Sequence, residues 1–264
     1  VITTKHEPWK LNTPDREIPR RAPLGYSSQD AFVAVHSFHL QMTGSGLQNS
    51  SQLILPLERI FGISCYFRGI DVSTYQGYIT WPTVAQNNHF AIIRAGYGFG
   101  HIDDYYETNY ANAKAAGVKV GAYWYSYATS TTDAIQEANY CIRALKGKQF
   151  EWPIYYDIEE DSIFNAGIQN AIAKAFCEQL EANRYYCGIY SSASAFNYNF
   201  NDYTKTKFTI WVANWDVDVP SYKGSYGLWQ YKVGYTAGVN GQVDLDYGYI
   251  DFEPVMKANG LNGY

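Results

Sequence analysis

Residues 152–161 read WPIYYDIEED: an apolar and aromatic run that ends in four acids, in a chain only 17% charged. Strand periodicity puts Tyr155, Asp157 and Glu159 on one face and Ile154, Tyr156 and Ile158 on the other. The aliphatic face can then pack on helices while the acids point into a sheet's concave interior. Glu160 and Asp161 fall where the strand should stop and read as loop or helix-start residues.

Similar short apolar runs recur on both sides, at 68–72 (RGIDV), 90–95 (FAIIRA), 118–127, 153–159, 185–191, 208–214, 226–231 and 242–246. Helical patterns separate the first five. The clearest is STTDAIQEANYCIRALKG (130–147), where Ser130 and Asp133 can cap the start and Gly147 marks the stop. Its Ala134, Ala138, Cys141, Ile142 and Leu145 share one face. Another helical pattern spans NAGIQNAIAKAFCEQLEANR (165–184). Strand and helix alternating through short loops predict a parallel sheet covered by helices, and eight strands favour closure into a barrel. The helices fade after the fifth strand. The expected fold is therefore α/β, an irregular (β/α)5β3 TIM-like barrel over residues 67–264, with residues 1–66 as an N-terminal extension or small appended module.

Barrels of this kind carry their sites at the C-terminal strand ends. Reading each predicted strand to its end gives Asp71, Tyr125, Asp157 with Glu159, Trp211 with Asn214, Gln230, and Asp244 or Asp246, so the acids converge on one mouth. Two carboxylates at i and i+2 in a partly dry site push each other's pKa values apart, leaving one as acid and one ionised. That division of labour suits glycosidic bond cleavage. The 26 Tyr, 7 Trp and 13 Phe supply faces for sugar rings as well as core.

Composition excludes other classes. The net charge is −5, with 20 basic residues scattered rather than clustered, which argues against nucleic acid. No run approaches the ~18 apolar residues of a membrane span, so no membrane insertion is expected. The four Cys (65, 141, 177, 187) form no CxxC, and Cys141 and Cys177 lie on apolar helix faces, which favours buried thiols over a disulfide framework. His36 and His39 lack a third ligand nearby, so neither a metal nor a cofactor is expected.

In order, RGIDVSTYQGYITW (68–81), FAIIRAGYG (90–98), GAYWYSYA (121–128), PIYYDIEE (153–160), GIYSS (188–192), IWVANW (210–215), LWQY (228–231) and VDLD (243–246) resemble the motifs of glycoside hydrolase family 25 lysozymes. The likeness covers about residues 68–254. It implies a secreted or wall-acting enzyme, in a bacterial or phage setting, that cuts peptidoglycan between N-acetylmuramic acid and N-acetylglucosamine. Carried over position by position, it implies Glu159 as proton donor, Asp157 as its assistant, and Asp71 and Asp244 as completing the catalytic carboxylates. Tyr97, Tyr125, Trp211, Asn214, Gln230 and Asp246 match or adjoin sugar-holding positions. The second acid of VDLD, Asp246, is a departure from a position often held by Asn. Family 18 chitinases also use acids on a fourth barrel strand, but their longer pattern would need acids where this chain has Trp152 and Tyr155. A catalytically silent wall-binding module is the remaining alternative, disfavoured by the presence of all four motif acids.

Overall fold

The computed structural model describes residues 66–264. The expected module at 1–66 (Tyr66 apart), the His36 and His39 pair and Cys65 lie outside the described residues. Nine strands form: β1 (Phe67–Val72), β2 (Phe90–Tyr97), β3 (His101–Ile102), β4 (Lys119–Tyr125), β5 (Ile154–Asp157), β6 (Cys187–Ser192), β7 (Thr209–Ala213), β8 (Leu228–Gly234) and β9 (Val243–Gly248). Eight close a barrel in the order β1, β2, β4, β5, β6, β7, β8, β9, while β3 only extends the end of β2 as a short antiparallel flap. Pairing is parallel from β1 through β8. The closing strand β9 is antiparallel to both neighbours.

That reversal corrects one step of the strand-end reading. Asp244 lies near the beginning of β9, yet it reaches the mouth because β9 starts where the other strands finish. Its register partner on β1 is Asp71, and Asp246 pairs with Gly69 one level down.

Alternation then sorts the side chains. Ile70, Val72, Ala91, Ile93, Val120, Ala122, Ile154, Tyr156 and Ile158 face the helical layer. Phe90, Ile92, Tyr123, Trp152, Tyr155, Tyr190, Trp211 and Leu228 fill the lumen. Glycines at inward positions make room for these rings: a Cβ on Gly69 would lie 2.2 Å from the Phe90 ring, and one on Gly188 would lie 2.5 Å from Tyr155. Burial of each such ring is worth about 1.5–3 kcal/mol. The lumen is therefore packed below and open only at its polar top.

Helices α1 (Trp81–Val84), α2 (Tyr106–Ala115), α3 (Thr131–Leu145), α4 (Asp161–Ala166), α5 (Gln169–Ala182), α6 (Ala193–Tyr198), α7 (Asp202–Lys207) and α8 (Glu253–Asn259) surround the strands. Ser130 caps α3 as expected, its hydroxyl accepting from Asp133 N. The helix expected at 165–184 is instead two. Gly167 adopts φ +67° and closes α4 with a left-handed cap, and α5 restarts at Gln169. Across the sheet, Tyr156 stacks on Phe176 of α5 at 3.8 Å between ring centroids.

One buried charge sits in this outer layer. Glu137 of α3 is fully buried and accepts from Tyr156 Oη at 2.6 Å and from Tyr127 N at 2.9 Å. It ties the helix to the loop that follows β4. Below the barrel, the buried Asn262 accepts from Tyr186 N at 2.7 Å and donates to Trp152 O at 2.9 Å, pinning the chain's last turn across the closed end. Cys141, Cys177 and Cys187 are buried free thiols. No helix among the described residues is long and apolar enough to cross a membrane.

Candidate active site

The mouth is built on parity. Asp71 follows Gly69 on the inward face of β1, and Asp157 follows Tyr155 on β5. The strand β5 stops at Asp157, so Glu159 rides on the extended segment just beyond it. The three candidate acids Asp71, Asp157 and Asp244 are inward; Glu159 is exposed to solvent at the rim.

Their electrostatics differ by depth. Burial, with Glu159 adding its charge, pushes Asp157 well above the usual carboxylate range, against an opposing pull from Arg94. Asp157 is 5% exposed, and its Oδ1 has no hydrogen-bond partner. Glu159 is also raised, first by desolvation and then by the charges of Glu160 and Asp244, while the neighbouring Tyr125 hydroxyl pulls it down. Glu159 reaches water at the rim, so burial raises it less than the enclosed Asp157 in the open site. Asp244 is raised by desolvation to about 6. Any ligand covering the mouth would remove water from Glu159 and raise it further.

Deeper in the lumen, Asp71 is buried and accepts from Gln230 Nε2 at 2.8 Å. Gln230 Oε1 in turn accepts from Tyr190 Oη at 2.9 Å and from Trp215 Nε1 at 2.8 Å. Gln230 therefore has both ends of its amide engaged and acts as a strut for Asp71. Trp211 and Asp246, expected among the sugar-holding residues, are each 1% exposed and bond to one another, Trp211 Nε1 to Asp246 Oδ1 at 2.8 Å. They lie beneath the mouth, too deep to offer surface to a ligand there. Asn214 also turns inward to the chain, accepting from Ser221 N at 2.8 Å and so shaping the loop after β7.

Tyr97 and Tyr125 do lie at the rim. The Tyr97 ring stacks on His101 of β3 at 5.0 Å, and Tyr125 Oη donates to Glu160 Oε1 at 2.6 Å. Glu160 is thus more than a strand-end residue, since it anchors the tyrosine beside Glu159. Exposed aromatic side chains ring the same end: Tyr75, Phe99, Tyr127 and Trp215.

Sequence reasoning missed one central group. Arg94, 8% exposed, donates from Nε to Asp103 Oδ2 at 2.7 Å and lies 5.1 Å and 5.3 Å from the ring centroids of Tyr75 and Tyr97. Asp103 also accepts from Thr74 N and Tyr105 N, both at 2.9 Å, so one carboxylate ties together three segments of the rim. The signal was present: in FAIIRA, Arg94 has the inward parity of Phe90 and Ile92. Among the described residues, no group of three or more His, Cys, Asp or Glu is arranged to hold a metal ion.

An aromatic-rimmed mouth holding several carboxyls of raised pKa and one buried cation can donate a proton, hold a second carboxyl beside it, and stack on a flat apolar ligand face. A family model for glycosyl hydrolases family 25 matches residues 70–239, from β1 through β8. Lysozyme M1 of Streptomyces globisporus is 31% identical over 195 residues, covering 67% of this chain and 66% of that protein. The autolytic lysozyme of Clostridium acetobutylicum is 26% identical over 181 residues, covering 68% and 55% respectively. The chain thus spans just under two thirds and just over half of the lengths of these two relatives. The crystal structure of the bacterial lysozyme from Streptomyces coelicolor superposes with a TM-score of 0.62 at 28% identity, over 75% of this chain and 98% of that one. Since the family model matches well over half of the chain, the chain belongs to glycosyl hydrolases family 25.

Proposed function

We propose that residues 67–264 form a lysozyme that hydrolyses the β-1,4 bond between N-acetylmuramic acid and N-acetylglucosamine in bacterial peptidoglycan. The observation that carries this reading is the Asp157 and Glu159 pair, carboxyls two residues apart at the end of β5, both of raised pKa, at an aromatic-rimmed barrel mouth. Such a pair titrates as a unit and holds one proton across a wide pH range. With the mouth covered by sugar, that proton resides on Glu159, which passes it to the glycosidic oxygen as the bond to the anomeric carbon breaks. Asp157, ionised, then orients either the substrate's own N-acetyl oxygen or a water molecule for attack on the anomeric carbon. In the water route, the proton taken from water restores the pair. Arg94 supports the ionised Asp157, and Asp71 and Asp244 complete the polar floor. The rim tyrosines and Trp215 offer stacking faces for the glycan, with the bacterial cell wall as the place of action.

The test is incubation of the purified protein with purified peptidoglycan, followed by borohydride reduction and sugar analysis. New reducing ends on N-acetylmuramic acid support the reading. Reducing ends on N-acetylglucosamine would overturn the bond assignment, and wall binding without release would support the silent module instead. Activity should fall on the alkaline side as the pair loses its last proton.

A further inference from the structure

Asp246 plays no part in that scheme, yet it is a fully desolvated acid in the barrel lumen. Around the barrel β9 lies between β1 and β8, and Asp246 is the register partner of both Gly69 and Gln230. The 2.8 Å bond from Gln230 Nε2 to Asp71 Oδ2 therefore spans β9 at the level of Asp246. Asp71 is also the diagonal neighbour of Asp246 across the β1–β9 ladder, a relation that leaves Cβ atoms within reach of one another. Each carboxyl has one oxygen supplied with a donor, Asp71 by Gln230 and Asp246 by Trp211. The remaining Asp246 oxygen, Oδ2, is buried without a donor.

We propose that Asp71 and Asp246 share one proton in a carboxyl to carboxylate hydrogen bond, and that Asp246 is thereby the positioning residue that holds Asp71 beneath the mouth. A proton between the two supplies the missing donor and removes one of two negative charges that the lumen would otherwise hold side by side. Burial and the charges of neighbouring aspartates raise both groups well above the usual carboxylate range, in the same direction. The other ionisable groups facing the pair are Asp244 on β9, Tyr123 on β4, Tyr155 on β5 and Tyr190 on β6; Tyr231 of β8 lies on the outer side, stacked on Tyr247. The phenols are themselves pushed up by burial and stay neutral, so none adds a charge. Arg94 is committed to Asp103 and acts on Asp157. Asn at 246 would keep the same geometry without a proton, its oxygen accepting from Trp211 and its amide donating to Asp71. The importance of the pair for catalysis rests on the lysozyme reading; the shared proton does not.

Urea unfolding between pH 5 and 8 tests it on the wild type, Asp246→Asn, Asp71→Asn and the double variant. A folded pair that keeps a proton which unfolded aspartates release makes the wild-type unfolding constant rise up to tenfold per pH unit more steeply than that of Asp246→Asn. Asp71→Asn should remove the same excess slope, and the double variant no more. Parallel slopes for wild type and Asp246→Asn would overturn the proposal, as would two separate increments that add. Should a variant fold too poorly, 13Cγ titration of the wild-type aspartates decides. Two carbons that share both titration steps support the pair, and two independent single steps overturn it. None of these readouts needs substrate, so their outcome is separable from that of wall hydrolysis.

Discussion

Replacing Arg94 by Met keeps most of the aliphatic stem and deletes the cation. Asp103, whose side chain is fully buried, would lose its ionic partner and keep only the Thr74 and Tyr105 amides. Breaking a buried pair costs about 3–5 kcal/mol, and the two surviving amides place this case near ~3 kcal/mol. At about 2–4 °C per kcal/mol for a domain of this size, the melting temperature should fall by roughly 6–12 °C. The same variant should move the activity profile. The strands β2 and β5 are separated only by β4, and Asp157 lies two residues nearer the mouth than Tyr155, the residue level with Arg94, so the two are roughly 12 Å apart from two strand spacings and two strand rises. At an effective dielectric near 20 the attraction is about 1.4 kcal/mol, or roughly one pH unit. Removing a positive charge makes both protons of the Asp157 and Glu159 pair harder to lose. Both limbs of the kcat/KM profile on solubilised peptidoglycan should therefore shift to higher pH by roughly one unit. A melting temperature within about 2 °C of wild type, with limbs unmoved, would refute the argument that Arg94 both braces the rim and sets the field of the pair.

Two other perturbations follow from buried carboxyls. Asp244 has a folded-state pKa of about 6, above the unfolded value, so its favourable contribution is present below the unfolded pKa and is lost as pH rises to about 6. Above that pH the folded state carries the cost of a desolvated charge, and Asp244→Asn should be more stable than wild type by about 1–2 kcal/mol at pH 8, with no gain at pH 3; calorimetry at the two pH values checks it. Glu137→Ala removes the acceptor of the Tyr156 hydroxyl proton and of the Tyr127 amide, leaving Tyr156 Oη only its bond from Ser126. It should cost roughly 2–4 kcal/mol in urea unfolding and loosen the loop after β4, read as faster amide exchange at Tyr127.

Much of this architecture was legible in the chain because barrel strands obey a simple parity. In 153–159 the alternation of Ile154, Tyr156 and Ile158 with Tyr155, Asp157 and Glu159 gave both the helix-facing side and the lumen side. It failed where the signal was tertiary. Nothing local to VDLD says that its strand runs backwards, and that reversal is what separates Asp244 at the mouth from Asp246 below it. Gln230, Trp211 and Asn214 sit at the right strand ends, yet their hydrogen bonds are spent inside the protein, a fact set by partners 15 to 159 residues away or more locally by Ser221. Gly167 broke a helix that its neighbours' periodicity would have carried through. Nothing local to residues 130–147 marks Glu137 for the core, and only its pairing with Tyr156 across the sheet explains a buried glutamate there.

The central claim is that Glu159 delivers the proton that breaks the glycosidic bond. Its exposed position at the rim means that Glu159→Gln should fold with wild-type stability, so cleavage rates can be compared directly. The decisive measurement is the initial rate of new reducing ends on purified peptidoglycan for wild type and Glu159→Gln at matched enzyme concentration. The account predicts a loss of roughly 10²–10⁴-fold with wall binding retained; a variant that cleaves within about threefold of wild type would contradict it.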